Sequence, residues 1–111
     1  MTVPDLTEWV GRQVRWIAER SGALPEEPLF VYEQAAKLVE EVGELHAELL
    51  GRHRLQRAGR GRQYSAESLA SEVADVAICL AILARITGVD LEEALRAKMA
   101  TIDSRVRSGA R

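Results

Sequence analysis

All three prolines of this 111-residue chain, Pro4, Pro25 and Pro28, lie within its first 28 residues. Proline inside a helix removes a backbone donor, clashes with the preceding turn and costs about 3 kcal/mol. Everything after Pro28 is therefore free to run as long helices. The rest of the composition points the same way. Ala, Leu, Glu and Arg dominate, aromatic residues make up only 5%, and β-branched residues are scattered rather than alternating. Straight-chain residues lose little rotamer freedom in a helix, so the expectation is an all-α chain forming one domain with a single core.

Hydrophobic spacing divides the chain into four helices. The first is expected from Thr7 as N-cap to about Arg20, with Val10, Val14 and Ile17 on one stripe; Ser21-Gly22 ends it. The second spans roughly 29–50, with Ala35, Leu38, Val42, Leu45 and Leu49 in register and Gly51 as its stop. The third opens at Ser65, an N-cap followed by Glu67 in the first turn, and runs to Thr87 before Gly88. It carries two stripes: Leu69, Val73, Val76, Leu80 and Leu83, then Ile78, Ile82 and Ile86. A helix apolar on two faces needs partners on two sides, so a subunit interface is expected beside the internal core. Asp90-Leu-Glu-Glu93 opens the fourth helix as an acidic capping box, and it continues to about Val106. Short links favour antiparallel neighbours, which makes the expected architecture a four-helix bundle.

Several function classes are excluded early. The net charge of −2 speaks against a chain devoted to nucleic acid. A single cysteine, Cys79, allows neither an internal disulfide nor a cysteine-based zinc site, and within VAICLAIL it reads as a small buried hydrophobe. The longest uncharged apolar run, Val76 to Ala84, is too short to span a bilayer, and the first residues lack a basic-then-apolar signal layout. The expectation is a soluble, cytoplasmic protein without a membrane partner.

Two acidic pairs carry the chemistry. Glu41 and Glu44 lie in EEVGEL, and Glu72 and Asp75 in SEVADV, each pair at i, i+3 spacing and so on one helical face. No basic residue lies one turn from Glu72 or Asp75, and only Lys37 lies one turn from Glu41. Carboxylates bunched in apolar surroundings repel one another unless they take up protons or hold a cation. Oxygen ligands of this kind suit Mg²⁺, or Mn²⁺. His46 and His53 form no E-x-x-H pattern of the di-iron bundles, which argues against an oxidase of that type.

Between the paired helices lies GRHRLQRAGRGRQY, residues 51–64, which holds Arg52, Arg54, Arg57, Arg60 and Arg62, a third of the chain's basic residues. It reads either as a solvated connector or as an electrostatic collar that draws a polyanion toward the acidic pairs.

Taken together, EEVGEL followed by SEVADV resembles the E-x-x-E then E-x-x-D signature of the MazG-like, all-α nucleoside triphosphate pyrophosphohydrolases. The likeness extends to Ala18-Glu19-Arg20, Thr87-Gly88-Val89-Asp90-Leu91 and Lys98-Met99. The resemblance implies Mg²⁺-dependent cleavage of a nucleoside triphosphate between the α and β phosphates, giving the monophosphate and pyrophosphate, in clearance of surplus or non-canonical nucleotides. It implies Glu41, Glu44, Glu72 and Asp75 as metal ligands, with Glu40 orienting the attacking water or standing behind the ligands. Lys98 matches the family's K-M position, and with Arg105 on a similar helical face it is a candidate for the β and γ phosphates. Trp16 and Tyr32 become candidates for enclosing the base. The family resemblance also implies a homodimer or a dimer of dimers.

The chain departs from the family at Tyr32, where relatives carry a small polar residue, and after Met99, where ATIDSRV replaces an Asn-containing tail. The base is therefore not assigned. Two other readings remain open at this point. One is a phosphoribosyl-ATP pyrophosphatase, which uses similar acidic helices. The other is a non-catalytic helical module that binds nucleic acid or protein through its Arg-rich loop.

Overall fold

The computed structural model describes residues 1–22, 24, 25, 27–52 and 65–109, and among these it contains four helices and no strand. They are α1 (Val3–Ser21), α2 (Pro28–Arg52), α3 (Ala66–Ile86) and α4 (Leu91–Ser108). The all-α, four-helix expectation holds.

α1 begins earlier than its apolar stripe indicates. Thr2, not Thr7, is the N-cap: its hydroxyl accepts from the Asp5 N–H at 3.2 Å, while Asp5 Oδ2 accepts from the Thr2 N–H at 2.9 Å. This reciprocal box satisfies two donors the helix start would otherwise orphan, and Pro4 in the first turn has no N–H to lose. Thr7 is inside the helix, its hydroxyl donating to the Val3 carbonyl. Gly22 closes α1 at φ 71°, a left-handed conformation that glycine adopts without a Cβ clash. α2 starts with Pro28, whose missing N–H is harmless there. It runs through Gly51 to Arg52, so Gly51 is not the stop expected of it. The remaining residues of the Arg-rich segment, 53–64, lie outside the described residues.

The cap of α3 is Ser65, as its sequence indicates, with a reciprocal bond to Ser68. Asp90 caps α4 by accepting from the Glu93 N–H at 3.0 Å. Gly88, at φ 74°, turns the chain between the two helices.

α3 is the hub. It packs most extensively on α2, then on α1, and α4 lies against α1 and α3. Val10 and Val14 of α1, Phe30 of α2, and Ala81 and Ile82 of α3 form the buried cluster, with Leu6, Ile17, Ile78, Ile86 and Leu91 packed around it. Each large side chain buried there contributes about 1.5–3 kcal/mol. The Ile78–Ile82–Ile86 stripe thus faces the core. On the second stripe Val73 and Leu80 stay about half exposed. α4 has no buried residue. No described helix is long and apolar enough to cross a membrane.

Candidate metal centre

α2 and α3 run antiparallel, and their register is fixed at one end by Glu48 and Ser68. Glu48 is fully buried and its Oε1 accepts a hydrogen bond from Ser68 Oγ. Ser68 sits at the third position of α3, where it also accepts from the Ser65 N–H at 2.9 Å. A capping box usually carries Glu at that position. A glutamate there would set a second carboxylate against Glu48; serine completes the cap and donates across to α2. Glu48 is two helical turns from Glu41, and Ser68 is one turn from Glu72, so this contact aligns the two acidic faces.

Above it, Glu41, Glu72 and Asp75 converge, each offering a ligand atom within 4.8 Å of the others. Mg²⁺ binds oxygen at about 2.1 Å, so ligand oxygens around it lie about 3 Å apart when adjacent and about 4.2 Å apart when opposite. The trio is within small side-chain adjustments of that spacing. The Glu41 side chain is only 14% exposed, and its Oε2 is buried with no hydrogen-bond partner among the described residues. Glu72 Oε2 is buried as well.

The electrostatics follow from this burial. Desolvation holds the Glu41 carboxyl above its usual titration range, and the neighbouring Glu44 and Asp75 carboxylates push the same way. Lys37 opposes them through an ion pair at 3.7 Å, but its own side chain is 55% exposed and the pairing is correspondingly weak. A hard divalent cation would satisfy the buried oxygen and neutralise the repulsion together, so this donor set fits Mg²⁺ or Mn²⁺.

The other expected site residues are placed differently. Glu44 is exposed and lies outside the trio, although its carboxylate helps to raise the Glu41 pKa. Glu40 is exposed and outside the trio. Lys98 and Arg105 are exposed on α4, a helix that packs against α1 and α3 rather than α2, and neither is among the charges that shift Glu41. Trp16 is 54% exposed with the Arg20 guanidinium stacked over its ring, 4.3 Å from the centroid. Tyr32, 72% exposed, stands on the surface of α2. Cys79 is buried, and burial with Glu41 nearby raises its thiol pKa, as expected of an inert core cysteine.

Glu48 is the residue that sequence spacing alone did not single out. Its signal is its place two turns beyond Glu41 on the face that meets α3, opposite a serine one turn before Glu72.

No family model, curated protein or solved structure matches this chain.

Proposed function

We propose that this protein is a Mg²⁺-dependent nucleoside triphosphate pyrophosphohydrolase of the MazG-like kind, releasing pyrophosphate and leaving the nucleoside monophosphate. The observation that carries the reading is the convergence of Glu41, Glu72 and Asp75 from two antiparallel helices around a buried, unpartnered Glu41 oxygen. The E-x-x-E motif contributes Glu41 and the E-x-x-D motif contributes Glu72 and Asp75.

Glu41, Glu72 and Asp75 would hold the cation, with Glu44 at the rim available to a ligand or to water. The bound ion would polarise a phosphoryl oxygen and offset charge on the pyrophosphate leaving group. The chain's own contribution is preorganisation. The Glu48–Ser68 contact keeps α3 from sliding along α2. Glu44 is better placed than the exposed Glu40 to accept a proton near the trio.

Assembly is part of the proposal. Val39, Val42 and Leu49 on α2, Val73 and Leu80 on α3, and Leu95, Met99 and Val106 on α4 are all large apolar side chains at 40% exposure or more. The radius of gyration is 17.3 Å, against about 13 Å for a compact domain near this length. A homodimer, or a dimer of dimers, would cover these faces.

The test is pyrophosphate release from a panel of canonical and modified (deoxy)nucleoside triphosphates, with phosphoribosyl-ATP alongside. Turnover should require Mg²⁺ or Mn²⁺ and disappear in Glu72→Gln and Asp75→Asn while the fold is retained. Full turnover in both variants overturns the proposal.

A further inference from the structure

A second site lies toward the C-terminal end of α3. One face of α1 (Thr7, Glu8, Gly11, Arg12 and Arg15), the end of α3 at Arg85, and the turn into α4 enclose an open cavity of about 720 Å³. That is the size range of pockets for small metabolites. None of Glu41, Glu72 or Asp75 lines it. Asp75 and Arg85 are ten residues apart on α3, about 15 Å along the helix.

Three arginines and three acids line the cavity, but the charges do not cancel locally. Glu8 is paired with Arg12 at 3.7 Å, Glu92 with Arg96 at 3.0 Å, and Asp90 spends one oxygen on capping α4. Arg15 and Arg85 form no ion pair among the described residues. Arg85 is moreover seated: its guanidinium carbon and one nitrogen lie 3.2 Å from where a Cβ on Gly11 would be. The missing side chain at Gly11 lets a planar cation lie against α1 at the cavity wall. A guanidinium is the group best shaped to take phosphate in two parallel hydrogen bonds. Pro4, Val89 and Leu91 supply an apolar wall beside it, with Val89 48% exposed.

We infer that this cavity is a metal-independent binding site for a nucleotide-sized phosphate ester, with Arg85 and Arg15 holding the phosphate and the Pro4–Val89–Leu91 wall taking the ring. This inference is independent of the acidic trio and stands or falls apart from it.

The experiment titrates the full chain, in EDTA, with adenosine 5′-monophosphate, adenosine and inorganic phosphate, followed by amide NMR shifts and calorimetry. The expected result is saturable binding of the monophosphate, with shifts concentrated at residues 7–12 and 88–92. Arg85→Ala and Arg15→Ala should each weaken it at least about tenfold. Gly11→Ala should weaken it while the melting temperature is unchanged or higher, because alanine favours the helix but displaces the Arg85 guanidinium. Glu72→Gln should bind as the unaltered chain does. The inference is overturned by any of four results: no shift at these amides up to millimolar monophosphate, equal affinity in the arginine variants, adenosine binding as tightly as its monophosphate, or phosphate alone binding as tightly.

Discussion

Ser68 and Glu48 join the cap of one helix to the buried interior of the next. A single hydroxyl accepts from the Ser65 N–H and donates to a carboxylate with no exposed surface. Helix capping and helix pairing are thereby linked: α3 cannot fray at its start without breaking its bond to Glu48 of α2.

The stability of this junction is measurable. Ser68→Ala removes a cap acceptor and one hydrogen bond to a buried carboxylate, so urea unfolding should show a loss of about 1.5–2.5 kcal/mol, from a cap of about 1 and a hydrogen bond of about 0.5–1.5. Glu48→Gln keeps an oxygen that can accept from Ser68 and should cost less than Glu48→Ala. Equal losses for the two Glu48 variants would show that the Ser68 bond is not what the position contributes.

Metal affinity should follow the geometry rather than the motif. Glu41, Glu72 and Asp75 share the convergent site, Glu44 stands at its edge, and Glu40 is exposed outside it. In Mn²⁺ titrations read by electron paramagnetic resonance, alanine at any of the three should abolish tight binding. Glu44→Ala should weaken it less and Glu40→Ala leave it unchanged. A Glu40 variant that binds as poorly as a Glu72 variant would displace the trio from the centre of the argument.

Much of the architecture is legible from local chemistry. Ser65 and Asp90 cap their helices as their positions next to apolar stripes imply, and Ile78, Ile82 and Ile86 face the core as a helical period requires. The start of α1 was also written locally, in Thr2-x-x-Asp5 with Pro4 between. Its apolar stripe begins only at Leu6 and Val10, which draws the reading toward Thr7 instead. The acidic trio is readable because i, i+3 spacing on two helices is a local property, needing only that the helices meet. Glu48 is harder, since its burial depends on which residue of α3 comes opposite. The separation of Lys98 and Arg105 from α2 was harder still: it reflects where α4 leaves α3, and no residue period encodes that.

The raised Glu41 pKa sets a direction for stability against pH. A carboxyl that titrates higher in the folded chain than in the unfolded one binds more protons when folded, so folding gains from acidification. The gain is fully present below the ordinary glutamate range and is lost as pH rises through the shifted value. Metal-free protein should therefore lose this increment of melting temperature as pH rises through that window. Glu41→Gln should flatten the slope there. Saturating Mg²⁺ should raise the melting temperature most at the upper end of the window, where the carboxylate is ionised and its repulsion from Glu44 and Asp75 is greatest. A slope unchanged by Glu41→Gln would assign the pH response to other groups.

Lys98 and Arg105 stand on a helix that packs against α1 and α3 rather than α2, so a second copy is one way to bring them to the trio. The half-exposed Val73 and Leu80 stripe, which shares α3 with Glu72 and Asp75, is where such a copy would pack. Leu80→Glu should therefore convert the assembly to monomer in size-exclusion chromatography with light scattering, and abolish turnover while circular dichroism stays helical. The sharper measurement mixes two inactive variants, Glu72→Gln and Lys98→Ala. If each site combines acids from one chain with Lys98 from the other, a mixed dimer keeps one intact site. Random mixing of equal amounts makes about half the dimers mixed, so activity should return to about a quarter of the unaltered level per chain. No recovery, with exchange of subunits verified, would mean that Lys98 acts within its own chain or does not act on substrate at all.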